Sequence, residues 1–501
     1  MLAKPSEQVL PIPQYVGEPL LSKLCHVFWR FRFGLAALLI PFTIRIIPEL
    51  IAGPYPIGYD TIGSYVPFML DWSTGNFKSF NPFIGGWILY AVLGITYTYT
   101  HIDPVAITKL TAPLLYSGLV FSEYCFARRT LGWDEKKSGF LIVVSSLYFA
   151  SLRVSWDLFR NTLGLVMLFP ALILNQELLT KRRAVLLAAI SWLIVATHLL
   201  VGTLLLGISL LGFLQTKEGR IPRVLAMLPG AAEFVSSLVG FQFKGTSIIS
   251  FGASTIEPLS SYAFVGFVLL PLFPMALFGF ARTANAAIRS WCLTCLVGIV
   301  LGTTPLATNP GLITPDRWAL MLSVPMIIIA VEGYSRLHFK PLRKWFPISG
   351  FLKLSWLCLV ALLGITFMAL PAADAFPYFV SFATTSPTSM LQSTVPLEDS
   401  QSLVTAISWL SSNARPGAVI MADHVMGGWL REYYKGTNPV VGYGPELTLQ
   451  QDLTLTLSKG YQIVYTLWWI DHFGLYGEPT VPSGFEVTHI EGRIGVFVYA
   501  T

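Results

Sequence analysis

Gly53-Pro-Tyr-Pro-Ile-Gly-Tyr-Asp60-Thr-Ile-Gly-Ser-Tyr65 follows directly on the first long apolar segment of the chain. Proline lacks an amide donor and glycine tolerates turns, so the preceding helix ends here and Asp60 falls on a tight loop outside the membrane. Tyr55, Tyr59, Tyr65, Phe68, Met69 and Trp72 surround it, an aromatic and apolar setting that lays the loop against the bilayer interface. A carboxylate held there meets molecules carried in lipid.

The rest of the composition agrees with a membrane setting. Of 501 residues, 54% are hydrophobic and 12% charged, where soluble proteins carry roughly 25% charged residues. The mean hydropathy is +0.62. The formal net charge of +6 comes from Lys and Arg in short loops, where the positive-inside rule accounts for them. Nucleic acid is therefore not an expected partner. Residues 1–27 are polar and lack a cleavable leader pattern, so the first span is expected to be retained. No disulfide framework is indicated by Cys25, Cys125, Cys292, Cys295 and Cys358. Cys292 and Cys295 form a C-x-x-C, but within an apolar run, where they read as small packing groups.

A helical span needs about 20 apolar residues and reverses sides, so basic clusters check the count. Arg30 and Arg32 put the N-terminus inside, and the first span delivers Asp60 outside. Arg128, Arg129, Lys136 and Lys137 mark an inner loop, so an odd number of crossings separates them from Asp60. Val105 to Ala127 is read as that span, and Phe83 to Thr100 as an interfacial or re-entrant helix within a long outer loop, 52–104. Ser138 to Trp156 crosses outward and Leu158 to Leu178 returns, leaving Asp157 outside. Ala184 to Leu214 has cytoplasmic signals on both flanks, so it is predicted to be two helices with a tip near Thr197-His198. Further spans start at Pro222, Tyr262, Trp291, Ala319 and Leu352. The fold class expected is mainly α, a polytopic protein of about eleven transmembrane helices over 28–372. Residues 373–501, less apolar, are expected to form an extracytoplasmic α/β domain. In it Val404 to Ser412 reads as helix, Ala418 to Ala422 and Gln462 to Thr466 as strands, and Glu486 to His489 with Gly495 to Tyr499 as a hairpin.

This topology collects Asp60, Asp157, His198, Glu257, Asp316 and Arg317 on the outer side. In Arg153-Val-Ser-Trp156-Asp157-Leu-Phe-Arg160 the spacing lets both arginines pair with Asp157 at a helix end. Interfacial snorkelling is the alternative. Arg317 opens a span, placed to hold a phosphate at headgroup level or simply to anchor the helix. His198 reads either as a hydrogen-bonding residue at a helix break or as a ligand. Glu257 lies in a small-residue loop, within reach of a substrate or metal. Arg45 and Glu49, spaced i, i+4 in the first span, read as a structural pair. Asp71 is a weaker candidate, and Trp468-Trp469 reads as packing for the outer domain.

Asp60 on the first outer loop, the Arg-x-x-x-Asp157-x-x-Arg setting on the next, many spans and a C-terminal outer domain together resemble the GT-C superfamily of membrane glycosyltransferases. The resemblance implies a polyprenyl-phosphate or diphosphate sugar donor, such as a dolichyl phosphate, and an essential acid at Asp60 seconded by Asp157. Ser254-Thr255-Ile256-Glu257 is similar to the Thr-Ile-x-Glu element of the oligosaccharyltransferase branch, but one residue shorter. Where that branch has Trp-Trp-Asp-Tyr-Gly, this chain reads Met421-Ala-Asp423-His424-Val-Met-Gly427. Transfer of a single sugar, hexosyl or pentosyl, to a hydroxyl on a glycan, lipid or protein is therefore expected, at the outer face of the plasma membrane. Asp60 and Asp157 would be catalytic, with Arg153, Arg160, His198, Glu257 and Arg317 binding substrate. Mg or Mn enters if Asp60, Asp157 and Glu257 converge. Rivals are an oligosaccharyltransferase-like enzyme with a diphosphate donor, a transporter with ionisable pairs at the midplane, and a non-catalytic scaffold. The scaffold would leave Asp60 and Asp157 more than about 12 Å apart, beyond sharing one substrate.

Overall fold

The computed structural model describes residues 20–75, 86–176, 180–215, 220–243, 258–281, 283, 285–303, 315–337, 348–369, 390, 392–443, 448–470, 481 and 483–500. The chain is mainly helical, with one small sheet near its C-terminal end. Helix α1 (Leu20–Ile51) stops where Gly53 and Pro54 begin, and Asp60 opens a π-helical turn, Thr61–Tyr65, that runs on into α2 (Val66–Ser73). Helix α3 (Trp87–Thr100) lies beside α2 and supplies the short helix expected within the loop. Asp103 caps α4 (Pro104–Arg129), accepting from the Ala106 amide at 2.8 Å, with proline at the first helical position.

The bundle continues with α5 (Glu135–Leu147), α6 (Phe149–Asp157), α7 (Phe159–Gln176), α8 (Lys181–Thr197), α9 (Leu199–Gln215), α10 (Arg220–Phe243), α11 (Pro258–Leu269), α12 (Phe273–Phe280), α13 (Ala286–Gly302), α14 (Pro315–Arg336) and α15 (Ile348–Ala369). Helix is found at each predicted span. Among the described residues, five helices are long and apolar enough to cross a membrane, or up to seven if each bent pair is one span; α9 and α13 are shorter apolar helices. The bent pairs fall on two of the expected crossings. The α5–α6 pair bends 62° at Tyr148, whose extended backbone interrupts the helix, and the α11–α12 pair bends 78° beside Pro271 and Pro274. The predicted split at Thr197-His198 is present: His198 has extended backbone (φ −160°, ψ 120°), and Gly202 of α9 folds back onto Val195 of α8.

Burial sorts the helices. The apolar stretch of α14 is 89% buried, against 22% for α10 and 28% for α15. A helix that is apolar all round and enclosed on every side is the bundle's centre, whereas α10 and α15 present apolar faces outward, as lipid-facing helices do. Cys292 and Cys295 are buried in the same packing.

The C-terminal region comprises α16 (Leu397–Asn413), β1 (Val419–Ala422), α17 (His424–Tyr433), β2 (Val440–Gly442), α18 (Leu449–Ser458), β3 (Ile463–Trp469), β4 (Glu486–Glu491) and β5 (Ile494–Ala500). The sheet runs β2-β1-β3-β5-β4. Strands β2, β1 and β3 are parallel, with Ile420 opposite Val440 and Val419 opposite Val464, while β5 pairs antiparallel with β3 and β4. Each helix and strand predicted here is present, and the sequence reading missed α17, β2 and α18. The domain does not hang from the bundle on a tether. Its core residues, among them Trp429, Trp469 and Val496, belong to one hydrophobic cluster with Ile62, Tyr65, Val66 and Met69 of the Asp60 segment and Leu89 and Leu93 of α3. Ile62, Val66 and Met69 are each 0–1% exposed, and burying side chains of this size stabilises by about 1.5–3 kcal/mol apiece.

Candidate active site

The two acids singled out in the sequence lie side by side. Asp157 is the last residue of α6, and its Oδ2 accepts a hydrogen bond from the backbone amide of Asp60 at 3.2 Å. Its Oδ1 accepts from Arg153, one turn earlier on the same helix, in an ion pair with both side chains 1% exposed. The separation expected of a scaffold is not found. Gly58 makes the approach possible: its φ of +100° suits glycine, and a Cβ there would sit 2.7 Å from Cβ of Asp157. Asp60 precedes the π-turn without capping it by its side chain, which leaves the carboxyl for other work.

The charges converging on Asp60 come from three helices. Burial raises the Asp60 carboxyl above its ordinary range, the charge of Asp157 raises it further, and Arg317, Arg160 and Arg153 oppose the rise. Arg317 stands in the first turn of α14, 4.0 Å from Asp316 and still partly exposed. Arg160 lies at the start of α7. The expectation that both arginines pair with Asp157 holds only for Arg153. Helix α6 ends at Asp157 and Leu158 breaks the chain direction, so Arg160 is not on Asp157's helix. Its guanidinium instead lies over the Tyr90 ring, 5.0 Å from the centroid, and its backbone amide donates to Tyr65 Oη at 3.4 Å. Tyr65 in turn stacks on Phe159, centroids 4.8 Å apart. Tyr65 and Tyr90 border Arg160 as well, which their place in an aromatic-rich stretch of sequence gives no sign of.

His198 sits at the α8–α9 break. Burial, then the charges of Arg160 and Arg317, push its imidazole well below the usual histidine range, so it is neutral at pH 7. Its Nδ1 is buried and has no hydrogen-bond partner among the described residues. Glu257 lies outside the described residues. Among those described, no three Asp, Glu, His or Cys side chains converge to hold a metal ion. Asp60 and Asp157 are the two acids of the three raised for Mg or Mn that the described residues bring together.

The remaining candidates have structural partners. Asp71 pairs with Arg431 of α17. Arg45 and Glu49 form a buried pair at 2.7 Å, joined by Lys109. The Trp469 indole donates to Asp399 Oδ2 at 2.9 Å inside the C-terminal domain. Around Asp60, the guanidiniums of Arg153, Arg160 and Arg317 face the carboxylates of Asp60 and Asp157, with Asp316 beside Arg317, three cationic groups against three acids. Such a site suits an acid–base reaction beside an anion, of which phosphate is the type that arginine geometry fits best.

Neither a protein-family model nor a curated protein matches the sequence. Solved structures do. ArnT from Cupriavidus metallidurans in the apo state superposes with a TM-score of 0.56 at 14% identity, over 95% of this chain and 98% of that one. The arabinofuranosyltransferase AftD from Mycobacteria superposes with a TM-score of 0.51 at 12% identity, over 94% of this chain, which spans 40% of AftD. The chain shares the fold of these two structures.

Proposed function

We propose that this protein is a membrane glycosyltransferase that moves one sugar from a polyprenyl-phosphate donor to an acceptor hydroxyl at the outer face of the membrane, with inversion at the anomeric carbon. The observation that carries the reading is the Asp60–Asp157 pair enclosed by Arg153, Arg160 and Arg317 at the face of the bundle covered by the C-terminal domain. Similarity of fold to an arabinofuranosyltransferase supports sugar transfer as the reaction class.

In this reading Asp60 takes the proton of the acceptor hydroxyl as its oxygen bonds to the anomeric carbon. The bond from that carbon to the phosphate oxygen breaks on the opposite side, and the electron pair leaves with the polyprenyl phosphate. A base must be ionised and within about 3 Å of the proton it removes. Asp60 is suited to that task because its carboxyl is raised toward working pH yet kept ionisable by three guanidiniums. Arg317 and Arg160 are placed to neutralise the charge gathering on the leaving phosphate, the electrostatic contribution that matters most in a partly dehydrated site. Neutral His198 offers a hydrogen bond without competing for the phosphate.

The test is transfer from a panel of radiolabelled polyprenyl-phosphate sugars by the purified protein in lipid, wild type against Asp60→Asn. Turnover by the wild type and its loss by at least about 100-fold in Asp60→Asn are expected, the scale of a missing general base. An equally active Asp60→Asn protein would sink the proposal. Turnover of diphosphate-linked donors alone would replace the donor class and keep the acid.

A further inference from the structure

We propose that the main-chain carbonyl of Gln392 is a positioning group that fixes the two acids relative to each other, and that through it the segment entering the C-terminal domain is part of the catalytic apparatus. The inference rests on the reading of Asp60 and Asp157 as the reacting pair. Gln392 lies between α15 and α16 and is buried. Its carbonyl oxygen accepts two hydrogen bonds, from the Gly58 amide at 2.7 Å and from the Trp156 indole Nε1 at 2.7 Å. Gly58 is two residues before Asp60, and Trp156 immediately precedes Asp157. A carbonyl has two lone pairs, and here one is spent on each acid-bearing segment.

Both ends of this clamp are themselves held. The Gln392 side chain donates to the Phe367 carbonyl, in the last turn of α15, at 2.5 Å, and Phe367 packs edge-on against the Trp156 ring, centroids 5.1 Å apart. The Trp156 carbonyl accepts from Arg45 Nη2 at 2.9 Å, while the Arg45 guanidinium lies 4.5 Å from the Trp156 ring centroid. Arg45 and Trp156 are both fully buried. The Arg45–Glu49 pair therefore does more than neutralise two charges inside α1: it supports the peptide that leads into Asp157. Farther along, Thr394 Oγ1 accepts from the Trp429 indole of α17 at 2.9 Å, tying the same segment into the C-terminal domain. None of these groups belongs to the ring of charges around Asp60. They set where the reacting groups stand, and reacting groups misplaced by about 1 Å lose on the order of 100-fold in rate.

The experiment combines turnover with hydrogen–deuterium exchange of the peptide covering 53–65, on full-length protein in lipid nanodiscs. Trp156→Phe keeps a ring but removes the indole donor, and Gln392→Ala removes the anchor on Phe367. In both, exchange over 53–65 is expected to quicken while the spans exchange as before. The maximal rate should fall by about 10- to 100-fold with donor KM within about twofold of wild type, since positioning acts on the transition state more than on binding. Asp60→Asn should lose turnover with wild-type exchange. Wild-type turnover and exchange in a folded Trp156→Phe protein, alongside an inactive Asp60→Asn protein, would overturn the clamp and leave the proposed function standing. An active Asp60→Asn protein would overturn the functional reading by itself. Should Gln392→Ala fail to fold, Trp156→Phe decides.

Discussion

Asp157 is buried with both its oxygens engaged. One accepts from Arg153 and the other from the Asp60 amide, whereas Asp60 is partly exposed and its side chain caps nothing, so of the two acids Asp60 is the one assigned the substrate's proton, while Asp157 holds it in place and raises its pKa by like-charge repulsion. The rate should then rise with pH along an acid limb above the ordinary carboxylate range, because Asp60 must lose its proton to act. In Asp157→Asn that limb should move to lower pH, since a charge that resists ionisation of Asp60 is gone and Arg153 is released to favour it. The rate at the plateau should fall at the same time. Profiles of kcat/KM against pH for the two proteins check this, and a shift to higher pH would contradict the assignment. At this scale the sequence was informative about the acids, which stand in turn-rich and arginine-flanked settings. It was uninformative about Arg160, whose partner depends on a helix break at Leu158 that spacing along an unbroken helix cannot express. Tyr65 and Tyr90 were hidden for a related reason, being aromatic residues in a stretch of sequence full of them.

Among the elements, hydropathy located the apolar segments and charge parity found the α8–α9 turn at His198. Both were blind to the bends at Tyr148 and near Pro271, because a window of apolar residues reads the same whether the helix runs straight or folds by 62° or 78°. Helix α18 escaped notice although Thr448 and Gln451 form a capping box, each side chain bonding the other's backbone amide. It carries Asp452, whose two side-chain oxygens are buried without hydrogen-bond partners among the described residues. Burial and the neighbouring Asp423 raise this carboxyl to about 7 from 3.8, with His424 opposing. Between those values the folded domain keeps a proton that the unfolded chain has lost. Stability therefore falls as pH rises through that window and is unaffected by this group below it. Asp452→Asn, neutral throughout, should melt at a higher temperature than wild type at pH 8 and about the same at pH 4, followed by tryptophan fluorescence. An equal or lower melting temperature at pH 8 would refute the origin given for the pH dependence.

Taken whole, the molecule is a helical bundle whose C-terminal domain is seated on the loop that carries its acid. The seat is a close approach of backbones: a Cβ on Gly428 of α17 would meet the carbonyl oxygen of Ile62, two residues past Asp60, at 2.0 Å. Arg431, on the same helix, pairs with Asp71 beyond it. Gly428→Val should lift α17 from the π-turn and lower turnover by at least about tenfold, the cost of displacing positioned groups, while the sheet keeps its own melting transition. Full activity in that variant would show that the seat is not needed. The composition made the division into bundle and domain legible, since apolarity falls after Pro371. It did not make the docking legible, because a glycine facing a carbonyl leaves no periodic pattern and the partners lie more than 360 positions apart. The hydrophobic cluster shared by Ile62, Val66 and Met69 with Val496 of the last strand has a consequence for biosynthesis. All the bundle helices leave the ribosome before the strands that complete this cluster, so the Asp60 segment waits for its packing through nearly the whole of translation. A chain cut short by a premature stop codon before β5 would make its helices and leave this cluster unfinished.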